Sequence, residues 1–229
     1  MKPTLDLKKL KGWSRLSKLD DIDFYFVTDS ELSKESIFSD VKNALNAGCK
    51  IIQYREKKKS TKEMIEEAKQ LKKICNGKAI FLINDRVDIA LAVNADGVHI
   101  GQDDISFEVA RMLLGEEKII GLTVHDLDEA INAEKLGVNY IGLAPIFKTD
   151  TKEDARDPIG TKMIEIVKKN VGLPIVAVGG INKNNLKKVM KAGADSVVSI
   201  YAVLNTNDVY KEISEFIKII KECKSKWLN

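Results

Sequence analysis

Eight short apolar runs, rich in β-branched residues and separated by longer amphipathic stretches, constrain this chain more than any other feature. They cover 24–28, 50–54, 79–83, 97–100, 119–123, 140–143, 174–178 and 196–200. Each is close to continuously apolar rather than alternating, the pattern of parallel strands covered on both faces. Helical periodicity fills the intervals. Over 61–77, Met64, Ile65, Ala68, Leu71 and Ile74 fall on one stripe at three- and four-residue spacing. Ser60 or Thr61 is placed to cap its start and Gly77 to stop its end. The same form returns at 126–137, 182–193 and about 208–223.

Gly48, Gly137 and Gly193 each follow the small or apolar end of a helical stretch, where a left-handed residue turns the chain back to the sheet. Strand–helix units repeated eight times, at about 25 residues each, predict parallel crossovers of right-handed sense. Eight units predict a closed barrel rather than an open sheet; a flavodoxin-like sheet needs about five strands and leaves too much chain over. The expected architecture is α/β, a single (β/α)8 TIM barrel over 23–229. Residues 1–22 carry Trp13 and leucines at partial helical spacing, and a short helix under the barrel floor is expected there.

Composition acts mainly by exclusion. Among 229 residues, 37 Lys plus Arg against 34 Asp plus Glu leave a net charge of +3, too little to favour nucleic acid as partner. The mean hydropathy is −0.17, and no apolar run approaches the roughly 18–20 residues a membrane span needs. The first residues lack the apolar core of a signal peptide, so a cytoplasmic location is expected. Cys49, Cys75 and Cys223 are isolated and odd in number, which argues against a disulfide framework. With only His99 and His125, zinc hydrolysis and haem chemistry are nearly excluded. Carboxylates, amines, hydroxyls, backbone amides and a hard cation remain.

In such a barrel the loops after the strands form the active face, so polar residues just past each strand are the candidates. They are Gln53-Tyr54-Arg55-Glu56-Lys57, Asn84-Asp85, Gln102-Asp103-Asp104, Thr123 with His125, Thr149-Asp150-Thr151-Lys152, Gly179-Gly180 and Ser199. Asp85 and Asp104 can share a magnesium ion, which favours oxygen ligands and keeps waters for a substrate phosphate. Arg55, Lys57 and Lys152 offer positive charge to phosphate oxygens. Gly179-Gly180 and the residues after the last strand offer backbone amides to a second phosphate. No side chain stands out as a covalent nucleophile or a strong base. Displacement of pyrophosphate, with cations stabilising the leaving group, is the simplest chemistry. Taken singly, Asn84-Asp85 is a turn, Gly179-Gly180 a tight turn, 56–59 a solvated charged loop and His99 a buried, hydrogen-bonded strand residue. Placement at successive strand ends is what gives the set its weight.

These strings resemble the thiamine-phosphate synthase family from about residue 24 to 200. The matching segments are 25–29, 53–57, 83–90, 96–104, 145–152, 178–181, 193–195 and 198–199. The resemblance implies an enzyme, a transferase that joins an aminopyrimidine methyl pyrophosphate to a thiazole phosphate with release of pyrophosphate. It implies that Gln53, Tyr54, Arg55, Glu56, Lys57, Asn84, Thr123 and Lys152 hold the pyrimidine pyrophosphate. Arg55, Lys57, Lys152 and Thr123 would serve catalysis. Asp85 and Asp104 would bind Mg2+, with Asp104 chosen over Asp103 by the family pattern. Thr149, Asp150, Thr151, Gly179, Gly180, Val198 and Ser199 would hold the thiazole phosphate. The implied partners are small phosphorylated molecules, without nucleic acid or membrane, and a homo-oligomer is allowed.

Two positions depart from the family pattern. Thr123 stands where the family usually has Ser, keeping the hydroxyl and adding a methyl. Ala144-Pro145 stands where Gly-Pro is common. Two other readings compete. One is the related thiazole tautomerase, with His125 as its acid/base, which needs neither the carboxylate pair nor the full cationic set. The other is a non-catalytic barrel that binds thiamine precursors.

Overall fold

The structure, a computed structural model, describes residues 22–149 and 156–227. Eight parallel strands follow one another around a sheet in chain order. They are β1 (Tyr25–Val27), β2 (Ile51–Tyr54), β3 (Ile80–Asn84), β4 (Gly97–Ile100), β5 (Ile119–Val124), β6 (Tyr140–Leu143), β7 (Ile175–Val178) and β8 (Ser196–Val198). A parallel bridge between Phe24 and Val197 closes the last gap, so the sheet is a barrel, as expected. The helices are α1 (Ile37–Asn46), α2 (Thr61–Cys75), α3 (Val87–Ala92), α4 (Phe107–Leu114), α5 (Leu127–Leu136), α6 (Gly160–Asn170), α7 (Lys183–Lys191), α8 (Tyr201–Leu204) and α9 (Val209–Trp227). The expected extension over 1–22 lies outside the described residues apart from Ile22, which packs with the residues inside the barrel.

Local chemistry sets the element boundaries. Ser60 caps α2 in a reciprocal box with Glu63, Asp126 caps α5, and Asn182 caps α7 in a box with Asn185. Each such cap is worth about 1 kcal/mol. Gly137 ends α5 at φ 84, the left-handed turn anticipated there. The short helices α3 and α8 carry too few turns to show a period, and the sequence does not announce them.

Two shells of apolar side chains hold the barrel. Ile52, Tyr54, Phe81, Ile83, Val98, Ile120, Ile141 and Ala177 point outward and pack under the helices. Tyr25, Val27, Ile51, Leu82, Ile119, Tyr140, Val176 and Val198 point inward. Strand periodicity makes this division strict, because neighbouring residues face opposite sides of the sheet. A continuously apolar strand therefore serves both shells at once. The polar inward positions fall toward the C-terminal ends of the strands. No helix among the described residues is long and apolar enough to cross a membrane.

Candidate active site

On the β1–β4 side the mouth is built of charged side chains. Arg55 follows β2, and its backbone is held at both ends by Thr28, whose Oγ1 accepts from Arg55 N (2.9 Å) and donates to Arg55 O (3.2 Å). Its guanidinium donates to Asp29 Oδ2 at 2.8 Å. Asp29 in turn accepts the amides of Glu31 and Leu32, so the arginine is anchored on a carboxylate that is itself fixed. Sequence reasoning did not single out Asp29; its position straight after β1 was the available signal. Lys57 pairs with Asp85, and Asn84 Nδ2 donates to Asp85 Oδ1 at 2.7 Å.

Asp85 occupies the left-handed region at φ 59, a conformation disfavoured for residues with a side chain. Its amide donates to His99 O at 2.8 Å, which ties this turn to β4. Such strain persists only where its surroundings impose it, and it is common at functional sites. Asp104 accepts the Gly101 amide at 2.7 Å. The residue is exposed at the mouth, yet its carboxyl is packed against its neighbours. Loss of water there, reinforced by the charge of Asp85, raises its pKa. A pair of carboxylates that repel each other suits a divalent cation. Among the described residues no three His, Cys, Asp or Glu side chains gather into a metal-binding group. Asp85 and Asp104 are the oxygen donors this side of the mouth offers a hard cation such as Mg2+.

Two residues of the 53–57 string turn their side chains away from the mouth, so what they can offer a ligand there is backbone. Tyr54 faces the helix layer and donates its hydroxyl to Glu67 of α2 at 2.7 Å. The alternation of the strand decides this, since Gln53 takes the inward direction. Glu56 is buried and accepts the amides of Lys57 and Lys58, both at 2.8 Å. It shapes the loop that presents Lys57. Those amide bonds and the nearby Lys59 outweigh its burial, and its pKa is lowered.

Under the mouth a line of polar side chains crosses the barrel interior. Gln53 Nε2 lies 2.6 Å from Tyr25 Oη, which lies 2.9 Å from Tyr140 Oη. Tyr140 Oη lies 2.9 Å from His99 Nδ1, and His99 Nε2 lies 2.9 Å from Thr123 Oγ1. Glycines make the space: a Cβ on Gly121 would meet Tyr140 at 2.1 Å, and one on Gly142 would meet His99 at 2.9 Å. His99 keeps some exposed area, but its ring lies deep beside Tyr140, and loss of water lowers its pKa to about 4. The two tyrosines, also buried, are raised.

The β6–β8 side is built mostly of backbone. Ile146 N donates to Val178 O at 2.8 Å and Phe147 N to Gly179 O at 3.1 Å, so the loops after β6 and β7 lie against each other. Gly179 and Gly180 permit this contact. Both have positive φ, and a Cβ on Gly180 would lie 2.4 Å from Lys148 O. Asn185 Nδ2 donates to Gly180 O at 2.9 Å and fixes the turn. The amides of Gly179 and Gly180 make no backbone hydrogen bond among the described residues. Ser199 Oγ donates to Ile181 O at 2.6 Å, so its hydroxyl braces the loop after β7. Val198 points into the barrel and offers only its backbone to the mouth. Thr149 is half-buried at the edge of this side. Asp150, Thr151 and Lys152 lie outside the described residues. His125, after β5, donates from Nδ1 to Ala144 O at 2.6 Å.

Comparison with known proteins places the chain in a family. The family model described as thiamine monophosphate synthase matches residues 24–203. A thiamine-phosphate synthase of Methanosarcina barkeri is 58% identical over 217 residues, 94% of this chain and 99% of that protein. Its counterpart in Methanosarcina mazei is 61% identical over 208 residues, 91% of this chain and 87% of that protein. Among solved structures, a thiamine phosphate pyrophosphorylase from Pyrococcus furiosus superposes with a TM-score of 0.83 at 40% identity, covering 90% of this chain and 98% of that one. On the strength of this match, which spans the whole barrel, the chain belongs to the thiamine monophosphate synthase family.

Proposed function

We propose that this chain is a thiamine-phosphate synthase that transfers the aminopyrimidine methyl group from its pyrophosphate ester to the ring nitrogen of a thiazole phosphate. The observation that carries the reading is the division of the mouth. Fixed cations and a carboxylate pair stand on one side, and a backbone cradle stands on the other. Arg55, Lys57 and, by the resemblance, Lys152 would hold the pyrophosphate and take up the charge it gains on leaving. Asp85 and Asp104 would hold Mg2+, which supplies further neutralisation of that charge. Gln53, Asn84 and Thr123 would orient the pyrimidine. Residues 149–151, by the resemblance, and Gly179, Gly180 and the backbone at Val198 and Ser199 would hold the thiazole phosphate.

The C–O bond breaks with its electron pair passing to pyrophosphate, leaving a pyrimidinyl methyl cation. The thiazole nitrogen then donates its lone pair to the methylene carbon, and no proton need move. A site without a nucleophile or a strong base is what such a reaction asks for. The protein aligns the two rings and excludes water from the cation.

Pyrophosphate release from the purified protein, with both thiamine halves and with or without magnesium, tests the reading. Release that requires both substrates and the metal, with thiamine phosphate as product, is expected. Binding of the thiazole phosphate without release would overturn it in favour of the tautomerase or a binding barrel. His125→Ala separates these, since the synthase reading expects activity within about threefold of the parent and the tautomerase reading expects a severe loss.

A further inference from the structure

The line of polar side chains beneath the mouth has a direction. Each tyrosine hydroxyl carries one proton and meets two partners. Gln53 Nε2 can only donate, so Tyr25 Oη accepts from it, and the acceptor left for the buried Tyr25 proton among the described residues is Tyr140 Oη. Tyr140 Oη, already accepting, spends its proton on His99 Nδ1. An Nδ1 that accepts carries no proton, so the ring's proton sits on Nε2, which donates to Thr123 Oγ1. Thr123 accepts, and its own proton has no acceptor among the described residues. The backbone of the same residue is tied as well, with Gln102 Nε2 donating to Thr123 O at 2.6 Å.

We infer that Gln53, Tyr25, Tyr140 and His99 form an oriented relay that holds the Thr123 hydroxyl with its proton turned to the mouth, ready for a hydrogen-bond acceptor on the substrate. His99 and Tyr140 are then positioning residues, acting through Thr123 without touching substrate. The departure from Ser to Thr fits the role, because a β-branched side chain has fewer rotamers to hold in place. Buried hydrogen-bonded chains of this kind fix one conformation when every member is satisfied. The kinetic part of the inference rests on the proposed synthase activity; the direction of the relay does not.

Two-bond 15N–1H correlation of the histidine rings at pH 7 reads that direction, and the chain has only two histidines. His99 is expected to bear its proton on Nε2. His125, which must donate from Nδ1 to a carbonyl, is expected to bear a proton on Nδ1 and so serves as an internal control. His125→Gln assigns the two signals. A proton on His99 Nδ1, or a charged ring at pH 7, overturns the inference. Tyr140→Phe keeps the ring stacked on His99, at 5.4 Å between centroids, and removes the link. It is expected to lower kcat/KM about tenfold, as for loss of one buried hydrogen bond, while leaving KM for the thiazole phosphate unchanged. The same change in a Thr123→Val background is expected to cost nothing further, and Thr123→Ser to retain the full Tyr140 effect. Equal losses in both backgrounds would make Tyr140 merely structural. If Tyr140→Phe does not fold, or the parent forms no thiamine phosphate, the His99 tautomer decides the relay alone.

Discussion

The β1–β4 and β6–β8 sides of the barrel mouth differ in what they are made of. The first is a set of charged side chains, with two ion pairs, Arg55 on Asp29 and Lys57 on Asp85, and one carboxylate, Asp104, held by the Gly101 amide. The second is a backbone surface, made possible by two glycines and braced by Asn185 and Ser199. The contrast teaches how one barrel rim can serve two phosphorylated ligands. Charged side chains and a metal suit a group whose charge grows as it leaves, since their effect strengthens where charge develops. Backbone amides at fixed spacing suit a phosphate that only has to be held. Damage to the first side should fall on turnover, and damage to the second on affinity and stability.

The sharpest break in that contrast would come from Asp85→Ala. It is expected to lower kcat by at least about 100-fold and to blunt the response to magnesium, measured by pyrophosphate release. Activity near the parent level would remove Asp85 from the metal. Next comes Gly180→Ala, whose methyl meets Lys148 O and whose φ of 61 is hostile to a side chain. A stability loss of about 1–3 kcal/mol is expected in denaturant unfolding, together with a raised KM for the thiazole phosphate. A fall confined to kcat would erase the distinction between the sides. Asp29→Ala frees Arg55 without removing it, and about a tenfold loss of kcat/KM for the pyrimidine pyrophosphate is expected, read from steady-state kinetics. Ser199→Ala should do least to turnover. Its hydroxyl is spent on Ile181 O, so about 1 kcal/mol of stability is expected to go while kcat/KM stays within about threefold. A large kinetic loss would show that the hydroxyl, rather than the backbone, serves the ligand.

The same contrast explains what was legible in the residues. The charged side announces itself, because Arg55, Lys57, Asp85 and Asp104 are polar interruptions straight after apolar runs. Tyr54 and Glu56 belong to the same string, and a string does not say which way each side chain points; both turn theirs from the mouth. The glycine side is legible only as turn chemistry. That Gly179 and Gly180 also admit the β6 loop is a fact of neighbours far apart in the chain. The interior line was invisible for the same reason, with Tyr25 and Tyr140 separated by 115 positions and reading as ordinary strand aromatics.

The sequence by itself determined the class of fold, the order of its elements and the family. Apolar runs at strand length, helical stripes between them and glycines at the stops are local signals, each readable within one or two turns of chain. The tertiary structure alone decided which face of each strand meets the barrel interior at a given height, because that depends on the register between strands. Register is what set Gln53 inward and Tyr54 outward, brought Asp85 to the amide-held Asp104, and drew Gln53, Tyr25, Tyr140, His99 and Thr123 into one line. A contact between distant strands is a property of the closed barrel, and no single stretch of the chain contains it.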